Sequence, residues 1–368
     1  MNRKFLLVLI PLAIMMVTVS ACNTRDSNTS TEGKVVTFSN SSLEAAIRQA
    51  IDKPRGDIYT SDLEQITSLS VSEQRINNLA GLEYCSNLRE LDLNNNKITD
   101  ISPLASIESL TRLNLASNQI TDISPLASLT VLQYLQLGSN EKIGDISTLA
   151  SMVNLRELGL GFTGSNDISV LRSLTNLTWL DIHGNQIVDI SPLASLQNLV
   201  TLYADRNQIS DISALSSLTR LTTLRIFDNR IADVSPLAPL TSLTELILMK
   251  NEIIDVSPLA SLTNLITLNL RMNQVKDISP LASLSRVEYM RLSENQISDV
   301  SPFSSLDELF ELYLEGNRVR DISPLLGLDN LKKLRLTENP LDEESEFTHI
   351  PRLEEKGVSV GWTPLNLD

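Results

Sequence analysis

Residues able to do covalent or acid–base chemistry are few in this chain of 368 residues, and they do not form a constellation. His183 and His349 are its only histidines and stand about half the chain apart, too few imidazoles for a Ser/His/Asp relay or a multi-histidine metal site. Neither a phosphate-cradling glycine loop nor a Cys-x-x-Cys pair occurs. Cys85 could be a nucleophile, but equivalent positions further along carry Ile107, Leu129, Met152, Leu174 and Leu196, so it reads as a buried, inert thiol. Aspartates recur at 100, 122, 145, 167, 189, 211, 233, 255, 277, 299 and 321. A calcium stripe would ordinarily bring several acidic oxygens to each site. Single carboxylates accepting hydrogen bonds from the turn that follows explain the strict spacing without an ion, and that reading is preferred. No enzyme, cofactor or metal site is expected.

The element that positions all of these residues is an internal repeat. From Asn96, steps of 22 residues reach Asn118 and Asn140; after one inserted residue they reach Thr163, Asn185, Asn207, Asn229, Asn251, Asn273, Asn295, Asn317 and Asn339. One step back lands on Gln74, which makes thirteen turns. Leu-x-Leu pairs such as Leu91 and Leu93 alternate in and out like a short strand, and stacking the turns makes these strands parallel neighbours. The Asn that follows can satisfy open backbone groups with its two amide donors and its carbonyl, which predicts a ladder from turn to turn. Asp-x-Ser, usually followed by Pro, opens the second half of each turn and fixes it tightly. That half is too short for a full α-helix, so 3₁₀ or irregular structure is expected on the outer face. At Thr163 the amide donors are missing and Ser165 replaces a core Ile, which predicts a locally looser turn.

The ends read differently. Residues 1–21 combine Arg3 and Lys4 with an apolar run from Phe5 to Val19, the pattern of a signal peptide and too short to span a bilayer comfortably. Residues 22–37, rich in Asn, Ser and Thr, read as a flexible linker. In the cap expected at 38–68, Ser41-x-x-Glu44 has the form of a capping box ahead of the apolar face Leu43, Ala46, Ile47 and Ile51, and Ser61-x-x-Glu64 suggests a second short helix. The repeats are set at 69–339 and a C-terminal cap at 340–368, where Phe347, Ile350, Leu353, Val358, Val360 and Trp362 suit a lid.

Two resemblances follow from these motifs. Val19-Ser20-Ala21-Cys22 resembles the bacterial lipobox, which implies removal of residues 1–21, acylation of Cys22 and a lipid anchor in a cell membrane, facing outside the cytoplasm. With no Leu-Pro-x-Thr-Gly sorting signal and no apolar tail, anchoring is expected from Cys22 alone, which would also rule out an intrachain disulfide. Loss of Arg3 and Lys4 takes the formal charge from −15 to −17 (−15 − 2), which argues against nucleic acid as a partner. The unit Asn-x-Ile-x-Asp-Ile-Ser-Pro-Leu resembles the internalin-type leucine-rich repeats of bacterial surface proteins. The resemblance implies an α/β repeat solenoid, a right-handed leucine-rich-repeat horseshoe with a concave parallel β-sheet, convex 3₁₀ or irregular segments and a helical N-terminal cap. It also implies that the concave sheet binds other macromolecules.

Positions two, four and six residues before each Asn alternate with the core leucines and should face out of the concavity. There Trp179, Tyr203 and Phe227 are spaced by 24 residues, one repeat plus two, which draws a diagonal across three strands. Each step is about 8 Å, so the rings could form one patch. Tyr289 and Tyr313 repeat the step. Asp181, His183, Asp205, Arg225 and, just beyond, Arg206 lie nearby, beside the irregular turn at Phe162. Aromatics ringed by arginine and acids are what interface hot spots use. The expectation is a non-catalytic scaffold that recognises a protein through this face. The alternative is a structural envelope component contacting wall glycan or other surface chains, with the rings only stacking along the sheet.

Overall fold

Short, evenly spaced apolar pairs force the chain to stack, because one turn alone cannot bury its leucines. The computed structural model describes residues 33–363. Residues 1–32, and with them the expected signal peptide and Cys22, lie outside the described residues. Fourteen strands of three residues each, from Ser68–Ser70 to Ser359–Gly361, form one parallel sheet in chain order. Register advances by one repeat per strand, so Leu180 faces Leu202, then Leu224, then Leu246. Across the inserted residue it advances by one more, and Gln136 pairs with Gly159.

Each turn returns through a short 3₁₀ segment, such as Ser102–Ser106, Ser191–Ser195 or Ser279–Ser283, as the sequence predicts. The recurring aspartate stands two residues before the segment's first residue and turns the chain into it. In all eleven turns with the recurring aspartate its Oδ1 accepts from the backbone N–H two residues on, at 2.7–2.9 Å. The hydrogen bond thus stays inside one turn. Between the sheet and these segments the leucines, isoleucines and valines form one continuous buried core, with Cys85 and Phe303 in it at 0 % exposure.

Both ends are closed. At the N-terminus the helix Ser41–Ala50 packs Leu43 and Ile47 into the first turn. Its cap is Asn40, whose side chain accepts from Leu43 N–H at 3.0 Å, rather than Ser41. Glu44 instead reaches Arg48 one helical turn on. The second helix is Thr60–Leu63, started by Asp62, whose carboxylate accepts from Tyr59 N–H. Val35–Val36 pairs antiparallel with Ile58–Tyr59, so the cap reaches back into the span read as linker. At the other end the helix Ile350–Glu355 covers the last turn, and the strand Ser359–Gly361 extends the sheet beyond the repeats. Among the described residues no helix is long and apolar enough to cross a membrane.

Candidate functional site

The asparagine ladder sets where each concave side chain points. Asn251 is typical: its amide donates to Ile226 O at 3.1 Å in the preceding turn and to Leu248 O at 3.0 Å in its own, while Oδ1 accepts from Ile231 N–H at 3.0 Å. To swing the Asn inward, the residue before it takes a positive φ, as at Asn95, Ser117, Arg206, Lys250 and Met272, and Phe162 does the same before Thr163. Phe162, Arg206 and Met272 therefore project at the end of the strand, and Phe162 and Met272 are 36 % exposed.

The diagonal closes only in part. Trp179 and Tyr203 meet edge to face with centroids 5.7 Å apart. Phe227 does not continue that stack. Arg225 intervenes, its guanidinium 5.0 Å from the Tyr203 ring centroid while its Nε reaches Glu245 at 2.7 Å. Phe227 instead has Arg206 at 5.9 Å over its ring. The second pair also departs from the expected step. Tyr289 meets Phe310 at 6.0 Å, and Tyr313 lies between Arg291 and Lys333 at 5.4 and 5.0 Å.

Next to the first pair, glycines seat two rings. A Cβ on Gly161 would come 2.3 Å from Cε1 of His183, and one on Gly184 would come 2.3 Å from Cε1 of Phe162. The His183 and Phe162 rings, each lying over the other turn's backbone, meet edge to face at 4.7 Å. Nδ1 of His183 is 2.5 Å from Oδ1 of Asp181, and this bond raises the His183 pKa above its usual value.

Asp205 is the clearest correction to the sequence reading. It was expected on the open face but is only 6 % exposed. The strand has ended at Tyr203, and Asp205 turns toward the next repeat, where Oδ1 accepts from Phe227 N–H at 3.0 Å. Burial pushes its carboxyl up to about 7. It organises the site from below.

Three side chains that pattern reasoning passed over extend the apolar ground beyond Phe227. Ile247 and Met249 lie on the next turn and Met272 on the one after, half-buried or exposed. Ile247 stands four residues before Asn251 and Met249 two, so the alternation marks them as outward, but an aliphatic side chain in a leucine-rich repeat does not stand out as a ring does.

The irregular turn is filled rather than open. Thr163 and Ser165 are buried, with Thr163 Oγ1 donating to Leu160 O at 2.9 Å and lying 3.0 Å from Ser165 Oγ. The ladder across this junction is nonetheless broken. Ile143 N–H has no asparagine carbonyl in the next turn and bonds to Asn140 O at 3.2 Å.

Comparison with known proteins places this geometry. The family described as Leucine Rich repeats (2 copies) matches residues 64–106, 108–151, 175–217, 197–239 and 241–283, more than half of the chain. No curated protein matches. Among solved structures, the internalin InlF of Listeria monocytogenes is 35 % identical, covers 89 % of this chain and 96 % of its own, and superposes with a TM-score of 0.85. The internalin InlC2 of the same species is 39 % identical over 57 % of this chain and 94 % of its own, with a TM-score of 0.55. The ectodomain of the Arabidopsis thaliana receptor kinase GASSHO1/SCHENGEN3, solved with CASPARIAN STRIP INTEGRITY FACTOR 2, shares the fold at 18 % identity and a TM-score of 0.60, covering 84 % of this chain and 45 % of its own.

Proposed function

Because the chain belongs to the leucine-rich-repeat family and is of the internalin type, we propose that it is a non-catalytic scaffold that binds a protein partner on its concave sheet. The observation that carries this reading is the preorganised cluster in the middle of the sheet. Trp179, Tyr203 and Arg225 form one stack, and Phe162 and His183 are seated on glycines beside it. Rings held by neighbours lose little freedom on binding, which is how interface anchors gain affinity. Phe227, Ile247, Met249 and Met272 continue this ground along the sheet.

The protein is held outside the cytoplasm by lipid on Cys22 in this reading, supported by the order of basic start, apolar run and Val-Ser-Ala-Cys in the sequence. Replacing Cys22→Ala should move the protein from the membrane fraction to the soluble fraction; retention at the parent level would refute the anchor.

Site-directed crosslinking tests the binding face in cells. A photoreactive residue at Thr201 or Thr223, beside the cluster, should give a discrete protein adduct, and one at Ser216 on the outer side should not. Adducts of equal yield from both faces, or glycan adducts alone, would favour a diffuse structural contact with the envelope.

A further inference from the structure

The centre of the concave face holds more ionisable groups than its cations can balance. Asp181 and His183 share one strand end, with Nδ1 and Oδ1 2.5 Å apart and the backbone N–H of His183 also donating to that oxygen at 3.0 Å. Asp205 sits one turn on, buried, with Phe227 N–H as its donor. On the preceding turn the face offers Glu157 beside Trp179, together with uncharged Gly159 and Gly161. On the following turns the charged groups are Arg206, Arg225, Asp228, Glu245 and Lys250. Of these, Arg225 is committed to Glu245 and Lys250 to Asp228, each at 2.7 Å. Arg206 lies over Phe227 at the exposed rim.

We propose that Asp181, His183 and Asp205 form a proton-binding cluster that empties as the medium passes from mildly acidic to mildly alkaline, changing the charge of the concave face and the anchoring of the Phe227 turn. With protons on Asp205 and on the His183 ring, only Asp181 is charged negative, and the imidazolium neutralises it. Without them, two carboxylates share a half-buried site, and Arg225, whose charge acts on Asp205, is divided with Glu245. The ionised Asp205 accepts more strongly from Phe227 N–H, the bond that favours its charged form, so the anchoring of the Phe227 turn tightens as the proton leaves while the buried charge stays unbalanced.

The direction of the pH dependence follows from linkage. Hydrogen bonding to Asp181 raises the His183 pKa, so its contribution to stability is present in acid and lost as pH rises through the folded value. Desolvation raises Asp205 to about 7, so folding opposes its ionisation, and the cost grows from the usual carboxylate range up to that value. Both groups make the fold less stable on the alkaline side of neutrality. Because the charges of His183 and Asp205 act on each other, the proton on one shifts the other.

The test needs no ligand and stands whether or not anything docks on the face. The chain has only two histidines, so NMR titration of the full protein follows His183 with His349 as internal reference. Asp205→Asn keeps the acceptor for Phe227 N–H and removes the charge. The His183 midpoint should lie above 6.5 in the parent and fall in both Asp205→Asn and Asp181→Asn, with His349 unmoved. The melting temperature of the parent should drop between about pH 6 and about pH 8, and that drop should shrink in Asp205→Asn. Should Asp205→Asn fold poorly, His183→Gln serves the same thermal comparison. A His183 midpoint unchanged by Asp205→Asn, or thermal profiles that run parallel in parent and variants, would overturn the proposal.

Discussion

At the scale of the residue, the asparagine and the side chain just before it decide where function can sit. Replacing Asn251→Ala removes four hydrogen bonds, but their loss is unequal. Ile226 O keeps a donor in Asn229 and Leu248 O keeps one in Asn273, whereas Ile231 N–H is left buried without an acceptor. The expected cost is about 2–4 kcal/mol of unfolding free energy, measured by urea denaturation. Trp179→Ala should behave in the opposite way, losing about 0.5–1.5 kcal/mol from the ring pair while binding falls much further. The backbone role of Asn was legible in the sequence, because an amide repeated at the end of nearly every strand has no other uniform use. The burial of Asp205 was not. Alternation assigns it outward, and only the end of the strand at Tyr203, together with the Phe227 N–H waiting in the next turn, draws it in.

Among elements, the junction between the turns of Asn140 and Thr163 is the weak seam. It carries the inserted residue and lacks the asparagine bond between turns, so that backbone bonds such as Ser139 N–H to Gly161 O and Gly144 N–H to Thr163 O bridge it, while the Thr163–Ser165 hydroxyl contact stays within its own turn. Amide hydrogen exchange at residues 140–146 and 160–168 should be faster than in the turns centred on Asn251 and Asn273. Equal protection would mean that these backbone bonds replace the ladder in full. The repeat period, the parallel strands and the 3₁₀ returns were all readable from spacing, since leucine pairs and Asp-x-Ser steps have few other structural uses. The first helix shows where a motif misleads. Ser41-x-x-Glu44 matches a capping box, yet Asn40 stands one residue earlier with an oxygen that reaches Leu43 N–H, and Glu44 gains a partner in Arg48.

At the scale of the whole repeat unit, one core runs from Leu43 in the first cap to Leu353 in the last, so stability is the sum of turns and the interfaces between them. Removing residues 340–368 would uncover Leu334 and Leu336, fully buried in the intact chain, and leave the strand Lys333–Arg335 as an open edge. The truncated protein should melt at a lower temperature and aggregate on standing, as light scattering would detect. That curved, capped stack displays a sheet whose centre is the proposed recognition site. Capture from envelope extract and conditioned medium, using the intact mature chain beside its Trp179→Ala, Tyr203→Ala, Phe227→Ala variant, tests that proposal most directly. A partner should be retained by the parent and lost from the variant, whose melting temperature should be nearly the parent's. Equal capture by both would contradict it.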